Sequence, residues 1–164
     1  MFKFFYSEMK ISELLKPEVV ILNLEARNKE EVIEKMLEIL IKARKLDKKN
    51  KTKLRKALLA REALGSTGIG QGVGIPHAKD DSLKKMVACC AISPQGVDFD
   101  ALDGEPVHIF FMLLAPKNAA GEHLKALARI SRLVKDRFFR SSLLHSKSPE
   151  NLIETIKREE EKID

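Results

Sequence analysis

The fold class this sequence predicts is single-domain α/β: a sandwich whose mixed parallel and antiparallel β-sheet is flanked by helices. Three observations lead there. Short β-branched and apolar runs alternate with stretches of helical periodicity along the whole chain. The apolar runs at 86–92 and 107–114 are separated by turn signals, Pro94-Gln95-Gly96 and Asp103-Gly104, so the sheet is not purely parallel. The chain has 164 residues, 44% of them hydrophobic and 33% charged, which suits one domain with a single core.

The elements follow in order. Residues 11–15 form a short helical turn ended by Pro17, and the β-branched stretch 19–24 reads as a strand. Asn28 caps a helix with Glu30 and Glu31 in its first turn and an apolar stripe of Val32, Ile33, Met36, Ile39 and Leu40, ending near Lys45. A polar link at 47–50 leads to a second helix over 51–64, closed by Gly65. After the strands at 86–92 and 107–114 come helices at 119–135 and 137–144. Ser148 as cap and Pro149 at the first position open the last helix.

Composition removes several function classes. The net charge is +6, but opposite charges alternate along predicted helix faces. The dense basic stretch from Lys42 to Lys56 reads as helix, turn and helix start facing water, so nucleic acid is not expected as a partner. No apolar run approaches the ~20 residues of a membrane span, and no membrane insertion is expected. The apolar residues 1–6 fall short of a signal peptide's apolar core of roughly 7–15 residues. The two cysteines, Cys89 and Cys90, are neighbours that a strand points to opposite faces, so no disulfide is expected, and the expected location is the cytoplasm.

The segment from Gly65 to His77 carries the most information. Gly68, Gly70, Gly72 and Gly74 alternate with larger residues. Missing side chains admit either a closely packed neighbour or an anion near exposed N–H groups, and spacing alone leaves both open. No Gly-Lys-Ser/Thr follows, so this is not a nucleotide-binding P-loop. His77 follows Pro76 at the segment's end, with the hydroxyls of Ser66 and Thr67 close in sequence. A neutral imidazole is available near pH 7 as a nucleophile toward phosphorus. Arg61 falls near the centre of the stripe of Leu54, Ala57 and Leu58. Either its stem is buried and its head snorkels out, or its guanidinium is aimed at an anion. His123 lies in the first turn of its helix, where an anion is favoured, although a half-buried structural histidine is the plainer reading. Asp98, Asp100 and Asp103 are out of step with a calcium loop and read as a turn. His108 is expected at the exposed end of its strand, His145 has no assigned role, and no Cys/His spacing suits zinc.

Together these residues resemble a known family. Arg61-Glu62, Gly65-Ser66-Thr67-Gly68-Ile69-Gly70, Gly72 and Ile75-Pro76-His77-Ala78-Lys79 form one block, residues 96–104 with Pro106 a second, and Gly121-Glu122-His123-Leu124 with Leu127-Ala128 a third. They are similar to the fructose/mannitol-type IIA domain of the bacterial phosphotransferase system, over roughly residues 11–156. Residues 1–10 are then an N-terminal extension and 11–164 the IIA domain. The resemblance implies that His77 accepts a phosphoryl group on the ring nitrogen far from the backbone, and that Arg61 and His123 steady it. Ser66, Thr67, Gly68 and Gly70 are further candidate contacts to phosphate or partner. It implies no cofactor and no metal. The donor would be the phosphocarrier HPr or an HPr-like protein, and the acceptor a IIB domain or a regulated protein. The pattern Ile11-Ser12-Glu13-Leu14-Leu15 with Lys29-Glu30-Glu31 resembles the nitrogen-regulatory branch, which implies a phosphorylation-dependent regulator. The alternatives are a stand-alone IIA feeding fructose/mannitol-type uptake and a binding module that no longer transfers phosphate.

Overall fold

The computed structural model describes residues 9–164. Most of the expected N-terminal extension, residues 1–8, lies outside the described residues. Six helices surround one six-stranded sheet: α1 (Ile11–Leu14), β1 (Val20–Ile21), α2 (Lys29–Lys42), α3 (Lys51–Ala63), β2 (Gly68–Gly70), β3 (Val73–Gly74), β4 (His77–Lys79), β5 (Val87–Val97), β6 (Val107–Ala115), α4 (Ala120–Leu133), α5 (Arg137–Leu144) and α6 (Pro149–Ile163).

The sheet is mixed, as expected. Its order is β1-β5-β6-β3-β2, with β4 also pairing β6. β5 and β6 run antiparallel, while β1 is parallel to β5, and β3 and β4 are parallel to β6. All residues of β6 from Ile109 to Ala115 are buried, so helices cover both faces of the central pair. α2 packs on β5 and against α3; α4 and α5 pack on β6, and α6 closes over α1 and α5. Both cysteines are buried in β5, unpaired, and burial pushes both thiols up.

Several boundaries differ from the sequence reading, each for a local reason. The expected strand at 19–24 shrinks to β1, because a 3-10 turn over Pro17–Val19 closes with the Val20 N–H donating to the Pro17 carbonyl. α2 starts as expected, with Asn28 accepting from the Glu31 N–H at 2.9 Å and the Glu31 carboxylate reaching back to the Arg27 N–H. It ends at Lys42 instead of Lys45, because Arg44 turns left-handed at φ 60° and the Lys45 N–H donates back to the Leu40 carbonyl. Pro94-Gln95-Gly96 is a bulge inside β5 and not a turn. The Gly96 N–H donates to Ser93 Oγ, and pairing resumes at Val97 opposite Val107. Gly96 has φ 83°, and a Cβ there would lie 2.7 Å from the His108 ring. His108 is accordingly half-buried, its Nδ1 donating to the Ser93 carbonyl at 2.9 Å, and does not sit at an exposed end.

Part of the basic stretch is ion-paired: Lys49 with Asp47, Lys51 with Glu34 and Glu38, Lys53 with Asp80 and Asp81, Arg55 with Glu34. At the other side of the molecule Glu160, fully buried, accepts from the Ile11 N–H (2.7 Å), the Ser12 N–H (2.9 Å) and Arg129 Nε (2.6 Å). This carboxylate ties α6 to the start of α1 and to the middle of α4.

Candidate functional site

The site assembles where β4, the end of β6 and two helix ends meet. β6 sets the geometry. Val73 and Gly74 of β3 pair with its first half, and His77 to Lys79 of β4 pair with its last residues, His77 opposite Leu113. Ile75 and Pro76 interrupt what would otherwise be one strand; Pro76 has no N–H to donate, and its carbonyl accepts from the Leu113 N–H. Beyond Ala115 the chain turns through Pro116 and Lys117 into α4, whose first turn carries His123 back toward His77. The two rings meet edge to face, 5.4 Å between centroids.

His77 is half-buried, and its Nδ1 lies 2.7 Å from the Ile75 carbonyl. A carbonyl can only accept, so Nδ1 carries the proton and Nε2 holds the free lone pair. Burial lowers the His77 pKa; the Ile75 hydrogen bond offsets part of this, Arg61 deepens it and Glu62 opposes it. His123 is 4% exposed, and its Nε2 is buried without a hydrogen-bond partner among the described residues. Burial first, then His77 and Lys79, push its pKa down to about 4. Both imidazoles are therefore neutral at pH 7. An unpartnered buried ring nitrogen costs folding energy, and a ligand oxygen would relieve it.

Arg61 is half-buried at the C-terminal end of α3, its Nη1 donating to the Gly65 carbonyl at 2.8 Å. It lines the same open groove as His77 and His123, a space of about 890 Å³ to which Lys79, Lys117, Leu64 and Leu124 also contribute. Arg61 does not, however, occupy the centre of the helix's buried stripe. The core-facing line steps from Leu54 to Leu58 to Glu62, which is 5% exposed. That carboxylate is tolerated because Thr67 satisfies it. The Thr67 N–H lies 3.0 Å from both its oxygens, and the hydroxyl 2.6 and 2.7 Å from them. Glu62 is the residue that sequence reasoning missed as a structural actor. Its signal was present: a carboxylate at the four-residue step after two leucines, five positions before a threonine.

The glycine-rich segment is a two-stranded hairpin. Gln71 (φ 61°) and Gly72 (φ 75°) make its left-handed turn between β2 and β3. Between the two readings left open, close packing is what the structure contains, and the neighbour is a loop. A Cβ on Gly68 would lie 2.9 Å from Ala101 Cα, and the Gly68 carbonyl accepts from the Leu102 N–H. The second group of candidate contacts is brought to this hairpin and its flanking loop, outside the groove lining. Ser66 Oγ donates to the Phe99 carbonyl and accepts from the Gly68 N–H, the Thr67 donors go to Glu62, and Gly70 faces Asp103. The Ser66, Thr67 and Gly68 donors are thus spent within the protein, and a carboxylate lies beside Gly70. Asp98 and Asp103 likewise accept from backbone N–H groups of their own loop, and Asp100 pairs with Lys29. Among the described residues no cluster of three or more His, Cys, Asp or Glu could hold a metal ion.

The class is thus an α/β sandwich that sets two neutral histidines and an arginine in one open groove. The chain belongs to the family described as "Phosphoenolpyruvate-dependent sugar phosphotransferase system, EIIA 2", whose model matches residues 13–159. It is 42% identical over 148 residues to a fructose-specific EIIABC component of Bacillus subtilis, covering 90% of this chain and 23% of that protein. It is 36% identical over 148 residues to a nitrogen regulatory protein of Bradyrhizobium diazoefficiens, covering 90% of this chain and 95% of that one. The crystal structure of the nitrogen regulatory protein IIA-Ntr from Neisseria meningitidis superposes with a TM-score of 0.82 at 34% identity, over 89% of this chain and 98% of that one. The nitrogen-regulatory branch is thus among the relatives, beside the sugar-specific one. No helix of the described residues is long and apolar enough to cross a membrane.

Proposed function

We propose that the protein is a phosphocarrier that takes a phosphoryl group onto Nε2 of His77 from HPr or an HPr-like protein and serves as a phosphorylation-dependent regulator. One observation carries the reading: the Ile75 carbonyl holds the Nδ1 proton, leaving the Nε2 lone pair beside the unpartnered nitrogen of His123 in a groove shared with Arg61. The Nε2 lone pair attacks phosphorus in line. The Nε2–P bond forms as the donor's N–P bond breaks, and that electron pair returns to the donor nitrogen. The transition state spreads charge over three equatorial oxygens, so fixed donors matter more than covalent assistance. Arg61 and His123 supply them: the guanidinium leaves the Gly65 carbonyl for two phosphoryl oxygens, and His123 Nε2–H gains the partner it lacks. No metal or cofactor enters this scheme.

The groove is also the docking face. Leu64 and Leu124 are 85% and 69% exposed at its edges, while Arg61, Lys79 and Lys117 line it with no carboxylate side chain among the described lining residues. That surface suits an apolar partner patch bearing a phosphoryl group. Similarity to a sugar-specific component at 42% identity supports a second reading, in which the acceptor is a IIB domain.

The test is intact mass after incubation with phosphoenolpyruvate, the general phosphotransferase enzyme and HPr. One acid-labile phosphoryl group on wild type, absent from His77→Ala, is the expected result. A wild-type protein that stays unlabelled by its own organism's HPr-like proteins, while a known IIA domain is labelled in parallel, would mean a binding module that does not transfer. Adding candidate IIB domains to the labelled protein separates the two acceptor readings.

A further inference from the structure

The buried Glu62 carboxylate is not accounted for by the scheme above, yet a continuous run of hydrogen bonds joins it to the reactive ring. Thr67 donates both its N–H and its hydroxyl to Glu62. The Thr67 carbonyl accepts from the Ile75 N–H at 3.0 Å. The Ile75 carbonyl accepts from His77 Nδ1 at 2.7 Å. The same carboxylate belongs to the helix turn whose Arg61 donates to the Gly65 carbonyl, two residues before Thr67. Glu62 therefore anchors, through one threonine, the loop that holds the guanidinium and the residue that holds the imidazole.

We infer that Glu62 is a positioning residue that fixes the Nδ1–H tautomer of His77, acting through Thr67 and Ile75. The chain is mechanical and does not move a proton. Thr67 sits where Glu62 holds it, Ile75 sits where Thr67 holds it, and the Ile75 carbonyl then faces Nδ1 and leaves Nε2 free. A carboxylate is needed because two donors from one residue converge on it in a dry site, where a charge-assisted acceptor is stronger than a neutral one. Its negative charge acts on the ring as well, opposing the depression of the His77 pKa that burial causes. Once Nε2 carries phosphorus and Nδ1 keeps its proton, the ring is cationic, and a carboxylate behind it favours that form. The effect on transfer rests on the phosphocarrier reading; the effect on the tautomer does not.

The experiment is side-chain 1H–15N NMR of 15N-histidine-labelled, unphosphorylated protein across pH, for wild type, Glu62→Gln, Thr67→Val and the conservative Thr67→Ser. Wild type and Thr67→Ser should show Nδ1 protonated and Nε2 bare. In Glu62→Gln the two ring nitrogens should move toward averaged shifts, the His77 titration midpoint should fall, and phosphoryl transfer should slow by up to about 100-fold. A native-like Glu62→Gln with an unchanged His77 tautomer and midpoint would overturn the inference. Should that variant fail to fold, Thr67→Val is read the same way, and an unchanged tautomer there overturns it too. If the tautomer responds as stated but wild type accepts no phosphoryl group, the positioning role stands and the phosphocarrier reading falls.

Discussion

Two side chains in the groove are held in ways that have measurable consequences. Arg61 rests with one nitrogen on the Gly65 carbonyl, and its planar fork suits two phosphoryl oxygens at once. Arg61→Lys keeps the charge and loses the fork. It should leave thermal stability nearly unchanged and slow phosphoryl transfer by about 10- to 100-fold, the equivalent of one charge-assisted hydrogen bond. Steady-state transfer rates alongside a melting curve check both halves. His123 is buried neutral with its pKa near 4, below the ordinary 6.5. Unfolding restores the ordinary value, so the unfolded chain binds the proton first, and stability falls as pH drops from 6.5 toward 4. The loss attributable to this residue is at most about 3 kcal/mol. His123→Leu should show a shallower decline than wild type over that window in urea titrations at a series of pH values. His77 and Arg61 stand out in the sequence, one ending a glycine-rich run and the other beside an apolar stripe, and the structure places both in one groove with His123. Glu62 carries a local signal in its four-residue step after Leu54 and Leu58, but the partner that makes a buried carboxylate reasonable, Thr67, is found only in the fold.

At the scale of elements, the helices were legible and the strands less so. The caps at Asn28 and Ser148 are written in local chemistry, and both accept the expected backbone N–H. The end of α2 was hidden because its left-handed residue is Arg44, where glycine would have been the visible signal. The glycines of β2 and β3 signalled close approach without saying to what; the answer, the loop around Ala101, lies about thirty residues later in the chain and belongs to tertiary structure. The bulge at Gly96 reads locally as a turn, and only the pairing of β5 with β6 shows that the strand continues. The clasp made by Glu160 was equally invisible, since it joins α6 to residues near the other end of the chain. Burial raises the cost of its charge, but hydrogen bonds from Ser12, Arg129 and Ile11 outweigh that and hold its pKa below the ordinary 4.5. Its stabilisation is present above that pH and is lost as pH falls below it, so the loss begins only at the acid end of the His123 window. Glu160→Ala strands the Ile11 and Ser12 N–H groups in a buried place, while Arg129 keeps Asp164 as its partner, and should cost about 2–4 kcal/mol in chemical denaturation. A cost under about 1 kcal/mol would mean the clasp is incidental.

For the molecule as a whole, the sheet order delivers the site. β6 is the common partner of β5, β3 and β4, and its C-terminal end places His77 on the strand beside it and His123 on the helix that follows it. Mixed topology was legible from the turn signals between two apolar runs, whereas the order of the strands was not, because nothing local says which run lies beside β6. The net charge of +6 and the cationic lining of the groove favour an anionic partner surface. Raising salt from about 50 to 500 mM should therefore weaken productive encounter with a phosphorylated donor by about tenfold in kcat/KM, with little change in kcat. Insensitivity to salt would place the recognition in the apolar residues Leu64 and Leu124 alone.

The central claim is that Nε2 of His77 is the accepting atom. It is tested most directly by phosphorylating 15N-histidine-labelled protein and observing which ring nitrogen couples to phosphorus. The account predicts one phosphorus-coupled nitrogen, Nε2 of His77, with Nδ1 still protonated against the Ile75 carbonyl. Phosphorus on Nδ1 of His77, or on His108, His123 or His145, would contradict it.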